Sequence, residues 1–419
     1  MVPRRKGSTF VFVMVLASSL LLLLSAFGIT QKPIRGAKRF QLEGELMTPP
    51  PNQPSDPDPT EDPTSNLSNP EPSDPTDPID EPMDLLDLPI GDNDPQALAP
   101  GGESLRLWPQ EMAIPLLYDP DLTRYHGQAA STLPLQGITV ILDASRGGAD
   151  TGAVWGSGPE AVMEKTLLLQ IAEEAEKALA QMGATVVMTR TTDEEFSLFR
   201  TVAKAADLAL IRYGEAALVN GYQTDLVDNL RLLMGDIIRI NQNSPSSGGR
   251  GLFGSIGTPP QLRILYDIES QFTDTLFINL ALGNDPDNTM TRGCQAYFMS
   301  ADFVAMVNNG YAAGQDAQTL SPNYSLIDSQ GRARLAGLLK SALARMEPWL
   351  AAEDGQEEGQ ERDMAVLRLT NYVSASFVPG YLSNEGDRRI LTSEKGRETI
   401  GKAMANAVLQ YYVTARPAP

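Results

Sequence analysis

Residues 138–152 read ITVILDASRGGADTG. An apolar, β-branched run from Ile138 to Leu142 passes through Asp143 into a glycine-rich turn. A short run of this kind, bounded by turn residues, is a buried strand. After it, Met163 to Met182 carries apolar residues at helical spacing with Glu and Lys between them, and Ala184 to Met188 (ATVVM) is a second strand. Outward from this unit the pattern continues. Leu276 to Leu280 (LFINL), Gln295 to Met299 (QAYFM) and Ala375 to Val378 with its flanks are further strands. Helical stretches cover 198–210, 223–241, 330–346 and 394–413. Continuous apolar strands separated by amphipathic helices predict an α/β fold with a mainly parallel sheet and helices on both faces.

The segment 206–270 reads as an insertion. It contains a helix (DLVDNLRLLMGDIIRI) and a Gly/Ser/Pro stretch (NSPSSGGRGLFGSIGTPP) expected to be a flexible surface connection, since it lacks the Gly-Lys-Ser/Thr ending of a phosphate loop. Residues 352–362 form a short acidic loop, and residues 106–136 a polar lead-in to the folded body at 137–415.

The formal charge of -20 is unevenly placed. Residues 1–39 carry seven bases and no acid (+7), residues 40–105 sixteen acids and no base (-16), and the rest supplies -11. Arg4, Arg5 and Lys6 precede an apolar run from Thr9 to Thr30. Its length, close to the roughly 20 residues of a membrane-spanning helix, and its basic flank predict an N-terminal transmembrane anchor or signal segment over 1–30, with the body extracytoplasmic. A cleaved segment would leave the protein secreted to the cell wall. Residues 31–105, rich in Pro and Asp, predict a disordered tether that holds the body away from the membrane. Beyond residue 39 there is no basic run, so nucleic acid is not an expected partner. One cysteine, Cys294, excludes an internal disulfide or a Cys-rich metal site, and one histidine, His126, excludes a site needing two imidazoles.

Several short strings, taken in order, resemble the zinc-dependent N-acetylmuramoyl-L-alanine amidases of bacterial cell walls, the Amidase_3 type. They are DASRGGADTGA with Asp143, Gly147, Gly148, Asp150 and Gly152; Glu164-Lys165 before a helix; TRTTDEEFSLFRTVAKA at 189–205; LFINLALGND at 276–285; GCQAYFMS at 293–300; and VLRLT with GYLSNEGDRRIL at 366–370 and 380–391. The resemblance spans about 137–415. It implies an amidase fold, peptidoglycan or a cell-wall, division or sporulation protein as partner, and a zinc held by two histidines and a glutamate with a second glutamate as base.

Carried over residue by residue, those four positions fall on Arg146, Ala281, Glu164 and Val378 respectively. An arginine stays protonated, alanine offers no donor atom and valine cannot move a proton. The resemblance therefore implies zinc for the family while the ligands are not retained here, and no catalytic residue is assigned. The expected protein is a pseudo-amidase that binds without cutting; the alternative is an active amidase hydrolysing the amide between muramic acid and L-alanine. Arg146 and Glu164 should then stand within a few ångströms as an ion pair. Asp143, Asp150, Arg190 and Asn284 are candidate cleft residues. Asp143, Asp150, Glu164 and Asp285 could together form an oxygen site for Mg²⁺ or Ca²⁺, although Asp150 and Asp285 read first as turn residues. Arg190 and Arg200 are expected to pair with acids such as Asp193, Cys294 to be a buried small residue, and Tyr381 to serve packing.

Overall fold

A computed structural model describes residues 104–414, apart from 196, 353, 354 and 356. The expected membrane segment at 1–30 and the tether up to residue 103 lie outside the described residues. Among those described, no helix is long and apolar enough to cross a membrane.

The sheet is built from β1 (Thr139–Ala144), β4 (Thr185–Met188), β5 (Thr275–Leu280), β6 (Gln295–Phe298), β7 (Gln360–Glu361) and β8 (Val373–Val378), while β2 (Val154–Trp155) and β3 (Val162–Met163) form a small antiparallel hairpin between β1 and the first helix. Strand order is β4-β1-β5-β8-β6-β7. Strands β4, β1, β5 and β8 run parallel, β6 is antiparallel to β8, and β7 pairs in parallel with β6 at the far edge. The expected mainly parallel sheet is present, with two reversed strands, β6 and β7, at one edge.

Each strand feeds both faces, because successive side chains point to opposite sides. Val140, Leu142, Leu276, Ile278, Ala375 and Phe377 pack into one core with helices α1 (Glu164–Gln181), α6 (Ser329–Met346) and α8 (Glu394–Val413). Ile141, Phe277 and Tyr372 pack into the other with α2 (Leu198–Val219), α3 (Asp225–Ile240), α4 (Pro260–Ser270) and α5 (Ala301–Tyr311). Burial on both sides is what makes these strands read as unbroken apolar runs. A last short helix, α7 (Glu385–Thr392), precedes α8. The starts of α2, α5, α6, α7 and α8 are capped by Ser197, Ser300, Asp328, Asn384 and Ser393, each accepting a backbone N–H from the first turn. Helices α1 and α8 meet so closely at Gly401 that a Cβ there would stand 2.6 Å from the Glu174 backbone.

The helix begun at 198 continues to Val219, and its residues Ala206, Ala209, Leu210 and Tyr213 are buried. Residues 206–270 thus cover one face of the sheet. The Gly/Ser/Pro stretch within them lies at the surface over residues 243–247, as expected, but is fastened to the body further on. Gly249 and Gly251 donate back to Ser244 and Pro245, and Phe253, buried, stacks on Phe199 at 6.5 Å. Its apolar Leu252 and Phe253 require burial, and that pins the loop. The lead-in is likewise fastened along α4. Trp108 bonds Asn323 and Thr258 and lies under the Arg263 guanidinium, Ala113 N donates to Asp267, and Leu117 N donates to Gln271.

The α4 helix carries a buried acid. Glu269 is enclosed, accepting from Asn371 N and Thr370 Oγ1, and burial pushes its carboxyl up to about 8. A folded-state value above the unfolded one means that its contribution is fully present below about pH 4.5 and is lost as pH rises toward 8. Glu269→Gln should remove that dependence. Between pH 5 and 8 the unmodified protein is expected to lose stability relative to the variant by about 1 kcal/mol per pH unit, checked by denaturant unfolding of both at three pH values; parallel curves would contradict it.

Candidate functional site

In an open α/β sheet, a crevice forms at the carboxyl ends of neighbouring strands whose connections leave in opposite directions. Here those strands are β1, which leads through α1 to β4 on one side, and β5, which leads to β6 on the other. The loop after β1, the first turn of α1 and the segment after β5 meet at this point.

A polar ladder crosses the strand ends beneath it. Ser376 Oγ on β8 donates to Asn279 Oδ1 at 2.7 Å, Asn279 Nδ2 on β5 donates to Asp143 Oδ2 at 2.7 Å, and Thr189 Oγ1 after β4 donates to Asp143 Oδ1 at 2.7 Å. Thr201 of α2 reaches the same carboxylate at 3.5 Å. Burial raises the Asp143 carboxyl above its usual range against these donors and the nearby Arg190 charge. Asp143 is 0% exposed and Arg190 2% exposed, so neither lines a cleft as expected from sequence. Arg190 also does not pair with Asp193. Its guanidinium is spent on the carbonyls of Ala144, Ser145, Lys165 and Thr192, which converge there from the end of β1, the first turn of α1 and the loop after β4. Asp193 instead accepts from Lys165 Nζ at 2.7 Å and from Gly148 N, while Arg200 pairs with Glu194 at 2.7 Å.

Above the ladder lies Glu164, 1% exposed at the start of α1. Its Oε2 accepts from Ala153 N at 2.8 Å and its Oε1 from Leu282 N at 3.0 Å, and Arg146 Nε stands 3.7 Å from Oε2. The expected pairing of residues 146 and 164 is thus present. Arg146 also holds Asp150 at 3.2 Å. Burial raises the Glu164 carboxyl, opposed first by the Arg146 charge and then by the two amides. Asp150 is a turn residue, bridged to Gly147 and accepting from Gly152 N. Asp285 is another. Its carboxylate accepts from Asn288 N and Thr291 Oγ1 and its N–H donates to Ser383, so it is not gathered with Asp143, Asp150 and Glu164 into an oxygen site. Asn284 is exposed beside it.

Ala281, half-buried, follows β5, and Val378, 6% exposed, ends β8. His126 is half-buried on a one-turn helix in the lead-in, Thr123–His126. Cys294 is fully buried, and burial pushes its thiol up to about 11. Tyr381 packs its ring against Gly283, where a Cβ would stand 2.5 Å away. Among the described residues no three His, Cys, Asp or Glu side chains are grouped to hold a metal ion. The zinc implied by the sequence resemblance does not fit these residues. Of the positions in question, only Glu164 offers a donor, and both of its oxygens already accept backbone N–H groups.

Sequence reasoning missed the rim around α7. Trp155, on the β2–β3 hairpin and 42% exposed, lies 3.7 Å under the Arg388 guanidinium. Trp349, 45% exposed, stacks under Arg292 at 4.8 Å and donates to Asp387. Arg362 covers Tyr297 at 4.9 Å. These pairs join residues far apart in the chain, and no local pattern announces them. The polar ladder did leave a signal, because Asn279 and Ser376 interrupt otherwise apolar strands.

Residues 140–216 match the family model described as N-acetylmuramoyl-L-alanine amidase, Amidase_3. The protein named "Probable cell wall amidase LytH" of Staphylococcus epidermidis is 44% identical over 71 residues, 17% of this chain and 24% of the relative. Its namesake in Staphylococcus aureus is 45% identical over 65 residues, 16% and 22% respectively. The chain spans about a quarter of the length of these curated relatives. Among solved structures, the CwlD amidase of Clostridioides difficile, determined with the GerS lipoprotein, aligns at 19% identity over 65% of this chain and 98% of that one, with a TM-score of 0.37. The N-acetylmuramoyl-L-alanine amidase AmiC2 of Nostoc punctiforme aligns at 15% identity over 66% and 97%, with a TM-score of 0.36. Over residues 140–216, this chain is similar to the Amidase_3 type of domain, described as N-acetylmuramoyl-L-alanine amidase.

Proposed function

We propose that the protein is an extracytoplasmic, cell-wall-associated amidase-like protein without amidase activity, which binds peptidoglycan or a protein partner. One observation carries the loss of activity. Glu164, the buried carboxylate at the centre of the site, has both oxygens taken by amides and a guanidinium beside it. A general base must be within reach of the proton it takes, and a hydrolytic metal needs three protein ligands with one open position. Glu164 meets neither demand, and Ala281 and Val378 add no donor. The basic residues followed by the apolar run of residues 9–30, and the acidic, proline-rich stretch after them, support a membrane-held body carried outward on a long tether. Cell-wall association is supported by the Amidase_3 match over residues 140–216.

The purified chain, incubated with peptidoglycan sacculi, is expected to release no stem peptides, and Glu164→Ala is expected to change nothing in that assay. Peptide release that Glu164→Ala abolishes would establish the active amidase instead.

Binding, on this reading, uses the exposed rim. Aromatic faces stack on sugar rings while guanidinium groups meet carboxylates, and Trp155 with Arg388 and Trp349 with Arg292 supply both. Trp155→Ala combined with Trp349→Ala is expected to weaken co-sedimentation with sacculi by about thirtyfold, on the order of 1 kcal/mol for each aromatic. Unchanged co-sedimentation, with the fold intact by circular dichroism, would remove the rim from the binding surface.

A further inference from the structure

We propose that Arg146 is the resident cation of this site, a positioning residue whose guanidinium serves where a metal ion would otherwise join carboxylates, and holds three chain segments together without one. The inference stands whether or not the rim binds cell wall.

Four observations converge on it. First, Arg146 has a φ of 70°, in the left-handed region that suits glycine and disfavours a long side chain. Glycine follows twice, at 147 and 148, so the chain has small residues at hand, yet an arginine occupies the unfavourable backbone. Strain of this kind persists where the surrounding contacts over-determine it. Secondly, the side chain is turned inward and only 7% of the residue is exposed. Thirdly, it faces two carboxylates at once, Asp150 at 3.2 Å and Glu164 at 3.7 Å, which is the arrangement of charge a cation would have to satisfy. Fourthly, Glu164 is itself a junction. One oxygen takes the Ala153 amide from the loop after β1, and the other takes the Leu282 amide from the segment after β5. The loop backbone presses against the same group, since a Cβ at Gly152 would stand 2.3 Å from Oε2.

A carboxylate so enclosed is costly unless neutralised, and removal of one partner of a buried pair strands the other. The donor set disagrees with a metal at this point and agrees with an internal guanidinium. Arginine is suited to that part because it stays charged under all ordinary conditions and its planar fork can address two carboxylates. Arg146 thereby links the loop, the first turn of α1 and the end of β5 through Glu164, while Lys165, the next residue along α1, fastens the other side of the same loop by bonding Gly148 O at 2.6 Å and Asp193 at 2.7 Å.

The test is a thermal-unfolding cycle on the full chain with Arg146→Gly, Glu164→Gln and both together. Arg146→Gly relieves the backbone, so a loss it causes reports the missing side chain, and the comparison with the double variant isolates its charge. It is expected to lower Tm by about 5 °C, and the double variant is expected to be more stable than Arg146→Gly alone, because no charge is then stranded. If Arg146→Gly does not fold, a folded double variant still supports the proposal and an unfolded one overturns it. A rise in Tm on Arg146→Gly, or losses that simply add in the double variant, would overturn it as well. The Tm of the unmodified chain is expected to be the same with zinc as with a chelator, and a zinc-dependent rise would count against Arg146 as the resident cation. These readings are independent of sacculus binding and peptide release, so this inference and the proposed function can fail separately.

Discussion

A carboxylate withdrawn from water has to be met by donors and by positive charge, and Glu164 imposes that demand at the one place where three chain segments converge. Much of the local structure is an answer to it. Ala153 and Leu282 supply amides from the two flanking loops, Arg146 supplies the charge, and the backbone at Gly152 comes close enough to leave no space for a side chain. The position of Glu164 in the first turn of α1 adds the favourable end of the helix dipole. The loop after β1 is therefore shaped from its centre outward by one acid, with Asp150, Lys165 and Asp193 tying down its margin.

The architecture was legible because its signals are local and repeated. Apolar runs such as Ile138 to Leu142 and helical periodicity such as that of Met163 to Met182 each report a face that has to be buried, and the strands and long helices fall within a few residues of expectation. The extent of α2 and the burial of α4 were less visible, since nothing in 206–270 distinguishes a helix that covers a sheet from one that stands off it. The Gly/Ser/Pro loop misled for a related reason. Its glycines suggest mobility, whereas Leu252 and Phe253 between them decide its fate by needing burial.

The site was half legible for a different physical reason. Opposite charges at residues 146 and 164 could be paired once both were assigned to one place, because long-range attraction has a sign that the residue types declare. Arg190 carried the same charge and was assigned an acid, yet its partners are backbone carbonyls, which no residue type declares. Asp143 was likewise placed in a cleft, while Thr189, Thr201 and Asn279 enclose it. Each of those contacts joins residues 46 to 136 positions apart in the chain. A polar side chain at a strand end can point to solvent or into a ladder, and only the neighbouring strands decide which.

On the proposed reading, the sheet explains how the site can lack the zinc ligands that the sequence resemblance implies while the two cores are kept. Stability is drawn chiefly from two cores, one on each face, assembled from residues such as Val140 and Ile278 on one side and Ile141 and Phe277 on the other. The residues at 146, 164, 281 and 378 lie at the strand ends, at the margin of those cores. Replacement there alters a local balance of charge without removing a layer of packing, so the requirement on these positions is electrostatic: the buried acid must be neutralised by something. The Arg146 guanidinium, supplied by the chain itself, meets that requirement beside Glu164 and Asp150.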